Sequence, residues 1–163
     1  MTARLRPPSD DDLFAVGALH HRSRASAYAG FLSPAALNFG SPRAMGEWWA
    51  ERWKWERETH RLTVAQDDGE IVGFSYVGPT LEEGVRELYA LHVAPEQVGT
   101  GVGKLLMVDA LEHLGDHAVL WVLEQNAHAR RFYERGGWSA DGTTRDLEMS
   151  GELTHQLRYS KLR

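Results

Sequence analysis

Cysteine is absent from this chain. That removes a disulfide framework, a thiolate metal site and a thiol nucleophile together. No apolar run approaches the roughly 18 residues of a membrane helix. The opening stretch, MTARLRPPSDDD, also lacks the apolar segment of a secretory signal. A cytoplasmic location with no membrane partner is expected. Positive charge is not in excess either, since 18 Lys and Arg against 23 Asp and Glu leave a net charge of −5. General nucleic-acid binders need basic stripes to neutralise phosphates, so nucleic acid is not an expected partner. H-E-x-x-H is missing, and the one i,i+4 histidine pair, His113 and His117, straddles Gly115, where its helix should end. No metal is expected.

What is present reads as one domain spanning 1–163, long enough to bury a core, with ordinary proportions of 42% hydrophobic and 25% charged residues. RLRPP predicts a short strand closed by its prolines. Asp10, Asp11 and Asp12 crowd the start of a helix, as the helix dipole favours. Ser-Pro pairs at 33–34 and 41–42 begin a broken helical segment. RLTVAQ and EIVGFSYVG flank an Asp-Gly turn and predict a hairpin. VRELYALHV predicts a strand, GVGKLLMVDALEHL a helix buried along Gly103, Met107, Ala110, Leu111 and Leu114, and AVLWVLEQ a central strand. A helix over 126–135 and two tail strands, TRDLEMS and ELTHQLRYSK, complete a mixed α/β sheet of about seven strands flanked by helices.

The richest stretch runs from Val85 to Gly103, where a strand ends at Pro95 and glycines at 99, 101 and 103 lead into the helix. Glycines let successive amides converge, and the helix N-terminus adds partial positive charge, so the turn suits a phosphate or pyrophosphate. A Walker A loop ending at Gly103-Lys104 would put Val98 at its first glycine and Leu105 at its hydroxyl position. The G-x-G-x-x-G fingerprint would put Lys104 or Leu106 at its third glycine. Both spacings fail.

A second motif follows the central strand: NAHARRFYERGGW, from Asn126 to Trp138. Asn126 suits an N-cap and Gly136-Gly137 a helix stop. With Asn126, Ala129, Phe132, Tyr133, Gly137 and Trp138 in place, the chain resembles the GNAT superfamily of acyl-CoA-dependent N-acyltransferases. The likeness covers residues 60 to 140 well and the flanks in outline. One departure is Val98, where the family usually carries Gln or Arg; Gln97 lies one place earlier.

The resemblance implies a GNAT fold in which the strands 85–94 and 119–125 splay to admit the pantetheine arm. It implies acetyl-CoA as donor, and an amine acceptor, small molecule or peptide. Cofactor contacts would come from the main chain of Leu91, His92 and Val93, and from Val98, Gly99, Thr100, Gly101, Val102, Gly103 and Lys104 around the pyrophosphate. Asn126, Arg130 and Tyr133 would contribute from the second motif. The absence of G-x-S-x-G supports direct transfer over an acyl-enzyme.

Tyr133 can protonate the departing thiolate, or simply pack its ring. Glu87 can take the amine proton, directly or through water, or stand as a solvated strand-end carboxylate. Strict alternation puts Glu87 on one face with Tyr89, Leu91 and Val93, and His92 on the other unless a bulge intervenes. His92 could compete as a base or be structural. Trp48, Trp49, Trp53 and Trp55 cannot all share one helical face. Trp49 and Trp53, with Tyr28 and Phe31, are candidate acceptor-pocket residues. A homodimer would suit such a sheet. The alternative functions are a non-catalytic acyl-CoA sensor and a nucleotide-phosphate binder.

Overall fold

The computed structural model describes residues 2–163. The chain begins with β1 (Arg4–Arg6) and a 3-10 turn (Asp10–Asp12), then α1 (Leu13–Ala27), α2 (Pro34–Leu37) and α3 (Pro42–Glu56). Next come β2 (Arg61–Asp67), β3 (Glu70–Pro79), β4 (Arg86–Val93), α4 (Val102–His113), β5 (His117–Leu123), α5 (Ala127–Arg135), β6 (Ser139–Met149) and β7 (Glu152–Leu162). This is the order read from the sequence. Ser33 and Ser41 cap α2 and α3 by accepting from the amides of Ala36 and Ala44, with proline in the first turn of each. The β2–β3 and β6–β7 hairpins turn at Asp68-Gly69 and Ser150-Gly151, all four at positive φ, as such turns require.

The seven strands form one sheet in the order β1-β2-β3-β4-β5-β7-β6. Every pairing is antiparallel except β4–β5. On one face, Leu13, Val16 and Leu19 of α1 and Trp49 of α3 join Phe74 and Tyr76 of β3 in a buried cluster. On the other face lies α4. Its buried stripe is broader than the spacing suggested, because Val102 and Leu106 are fully buried beside Met107, Ala110 and Leu114. Gly73 of β3 permits this, since a Cβ there would lie 3.0 Å from both Leu106 and Val102 side chains. Leu111 and Gly103 are only half-buried.

α1 and α3 meet at two glycines. A Cβ on Gly17 would stand 2.2 Å from the Gly46 amide nitrogen, and one on Gly46 would stand 2.6 Å from the Phe14 ring. Backbone cannot yield as a side-chain tip can. Gly17→Ala is therefore expected to destabilise the protein by about 1–3 kcal/mol, as overpacked cores do, read as a lower urea midpoint. A midpoint equal to the parent's would contradict the close helix contact.

Candidate active site

The parallel pair β4–β5 is the site's organising feature. It pairs only at Arg86 with Ala118 and Glu87 with Val119, and beyond these two rungs the strands part. The β5-facing edge of β4 from Leu88 onward thus lacks a strand partner, as the unpaired backbone of a splayed sheet must. A register shift opposite Tyr76 and Val77 adds a second feature. Tyr76 pairs with Ala90 and Val77 with Leu88, so β4 carries an extra residue at Tyr89. This bulge breaks the alternation. Glu87 lies opposite Gly78 and His92 opposite Phe74, and both partners face α1 and α3. Glu87 and His92 therefore share a face, contrary to strict alternation, while Leu91 and Val93 point to the α4 side.

β4 leads through a 3-10 turn, Pro95–Gln97, into the glycine loop. Gly99 and Gly101 hold φ of 83° and 99°, which side chains other than hydrogen rarely tolerate. Val98 is extended and half-exposed at 52%, and Gln97 accepts from Thr100 through both its main-chain and side-chain oxygens. Among the described residues, the amides of Gly99, Gly101, Val102, Gly103 and Lys104 donate to no protein acceptor. Among the described residues, nothing lies within 4 Å of a Cβ built on Gly99. The turn is an open cradle of five free donors at a helix N-terminus, which fits a pyrophosphate. At Gly103 the elements converge: a Cβ there would contact Phe132 of α5 at 3.5 Å and Val93 of β4 at 3.6 Å.

Asn126 caps α5 by accepting from Ala129 at 3.2 Å. The helix brings Tyr133 beneath the α4 face, edge-on to Phe132 and Trp138. The Tyr133 hydroxyl has no hydrogen-bond partner among the described residues. Burial, and then the nearby Tyr28, push its pKa well above the ordinary phenol value. Glu87 is half-buried and has neither hydrogen-bond nor ion-pair partner among the described residues. Burial raises its pKa, against Arg145 and then Arg52, which pull it down.

His92 is held otherwise. Its Nδ1 lies 3.0 Å from the Ser23 hydroxyl, and its ring centroid is 4.3 Å from that of His20 at a 38° tilt, His20 accepting from the Trp49 indole. Burial lowers the His92 pKa to about 4 and that of His20 to about 2. Both imidazoles stay neutral, and so weak a base has little to offer an ammonium.

The remaining candidates divide. Arg130 donates to the Tyr159 hydroxyl and to the Glu124 carbonyl, tying α5 to β7 and to the residue that follows β5. Lys104 is exposed. Tyr28 and Phe31 pack together at 5.4 Å, and Tyr28 lies within the electrostatic reach of Tyr133. Trp49 is 1% exposed and fills the core instead of lining a pocket, while Trp53 is half-buried against the same cluster. Trp48 and Trp55 are the outward pair. The α3-facing surface beside Glu87 carries Arg52, over the rings of Tyr76 and Tyr89, and Arg145, over Trp121. Sequence reasoning missed both arginines, because charged residues on a helix or tail strand look like solvated surface. Asp109, Glu112 and His113 do gather on α4, but Asp109 already accepts from Thr63 and Arg61.

A model of the Acetyltransferase (GNAT) family matches residues 30–138. A probable N-acetyltransferase of Mycobacterium tuberculosis is 30% identical over 146 residues, covering 86% of this chain and 82% of that protein. A mycothiol acetyltransferase of Streptomyces griseus is 38% identical over 90 residues, but this chain spans only 28% of its length. Among solved structures, a PaiA N-acetyltransferase from Thermoplasma acidophilum in complex with coenzyme A shares the fold with a TM-score of 0.73 at 20% identity, over all of both chains. Because the family model covers most of the chain and the M. tuberculosis relative is matched over most of its length, the chain belongs to the GNAT family and is an acetyl-CoA-dependent acyltransferase.

Proposed function

We propose that the protein transfers an acetyl group from acetyl-CoA to an amine, small molecule or peptide, by direct attack in a ternary complex. The supporting observation is a pair of groups without a side-chain partner among the described residues, the Glu87 carboxylate on the α3-facing side and the Tyr133 phenol on α5. The glycine-loop amides would hold the pyrophosphate, and the free edge of β4 the pantetheine arm. Main-chain amides near Val93 would stabilise the oxyanion. The amine nitrogen bonds to the thioester carbon, and the carbon–sulfur bond then breaks. Glu87, directly or through water, takes the proton the amine gives up; Tyr133 supplies one to the thiolate. Raising the Glu87 pKa moves it toward a useful base, and burial keeps Tyr133 protonated until a thiolate forms. Positioning both reactants supplies much of the rate.

Acetyl-CoA should raise the melting temperature by mass action, with ATP and NAD at equal concentration doing far less. Thiol release should then follow addition of a productive amine. Equal shifts from all three ligands would remove the loop assignment. A selective shift with no thiol release across an amine panel would leave a sensor.

A further inference from the structure

We infer that the acceptor is a zwitterion, an amine that also carries a carboxylate, with its carboxylate held by Arg145 and its amine directed at Glu87. The inference rests on the acetyl-transfer reading above. Arg145 comes from β6, two strands away from β5 in the sheet order. It pairs with Gln156 of β7, which in turn lies opposite Leu123 of β5, so its side chain leaves from the face that carries Trp121 and Glu87.

The guanidinium is open to solvent yet fixed. Its Nε donates to Gln156 at 2.9 Å, and its carbon sits 4.2 Å from the Trp121 ring centroid. Its two terminal nitrogens have no hydrogen-bond or ion-pair partner among the described residues. Arg158 on the same hairpin is closed by Asp141 at 2.7 Å, and Arg52 across the cleft by Glu56 at 2.5 Å. An oriented guanidinium with two free parallel donors is shaped for a carboxylate.

Charge balance selects the rest of the ligand. Arg52 and Arg145 both act on Glu87, but among the described residues neither forms an ion pair with it. With Glu56, the four groups sum to zero. A ligand with one positive and one negative charge keeps that sum, whereas a dianion would press on Glu87 and a bare ammonium would leave Arg145 facing it. The Arg145 pKa is lowered by burial and raised by Glu87, consistent with a guanidinium partly out of water beside that carboxylate.

The test is thiol release at saturating acetyl-CoA with matched acceptors: L-alanine against L-alaninamide, L-phenylalanine against phenethylamine, and L-lysine against cadaverine. The free acids should exceed their partners by about 10–100-fold in kcat/KM for at least one pair. In R145M that preference should collapse to within about threefold, mainly through a higher KM for the acid, with R145K restoring part of it. Amides or decarboxylated amines preferred throughout, or a preference that survives R145M, would overturn the inference while leaving acetyl transfer intact. Failure of every acceptor, with acetyl-CoA still stabilising the protein, would overturn both.

Discussion

Tyr133→Phe should lower kcat by about 10²–10⁴ while CoA affinity changes little, because a hydroxyl that protonates the leaving thiolate acts mainly in the transition state. The substitution removes one oxygen and leaves the ring against Phe132 and Trp138. Because that hydroxyl has no protein partner among the described residues, its loss orphans no buried group, and stability should be near the parent's. A purely structural tyrosine would behave oppositely, with turnover intact. Steady-state kinetics and a CoA titration on one preparation separate the two. A folded Phe variant turning over at the parental rate rules out the acid role.

Glu87→Gln should lower kcat/KM near neutrality by about 10²-fold and move the rising limb of the pH profile to higher pH. In the parent, the limb reflects a carboxylate whose pKa burial has raised, together with the amine itself. Without the carboxylate, rate should follow the neutral fraction of the amine, whose ordinary pKa is about 10.4 for a lysine-like group. Stability has the opposite sign. A carboxyl with a folded-state pKa above its unfolded value binds more protons when folded, so its ionisation costs stability as pH rises through that window. Glu87→Gln should therefore be at least as stable as the parent at pH 7. Loss of stability with an unshifted profile would make Glu87 structural.

The signals that were legible beforehand are local ones. Asn126 and Gly136 bound a helix through their own capping geometry, and Gly99 and Gly101 supply positive φ within one turn of chain. Asp68-Gly69 sets its hairpin in the same way. Two spaced motifs then identified the family, because each lies within a single strand–helix unit. Hence the order of elements, the seven-stranded sheet and the glycine cradle followed from the amino acids alone.

Tertiary structure decided what depends on neighbours distant in sequence. The extra residue at Tyr89 is defined only against β3, and it turned Glu87 to the face of His92. Period-two alternation carries no trace of such a bulge. Trp49 could equally have lined a cleft or filled a core; close packing of α1 on α3 through Gly17 and Gly46 buried it. Arg145 comes near Glu87 because β7 inserts between β5 and β6, a consequence of sheet order that no local spacing encodes. The sequence by itself determined the elements, the family and the cradle, since backbone preference and turn chemistry act over a few residues. Which charges meet across the cleft was left to the packing of strands and helices far apart in the chain.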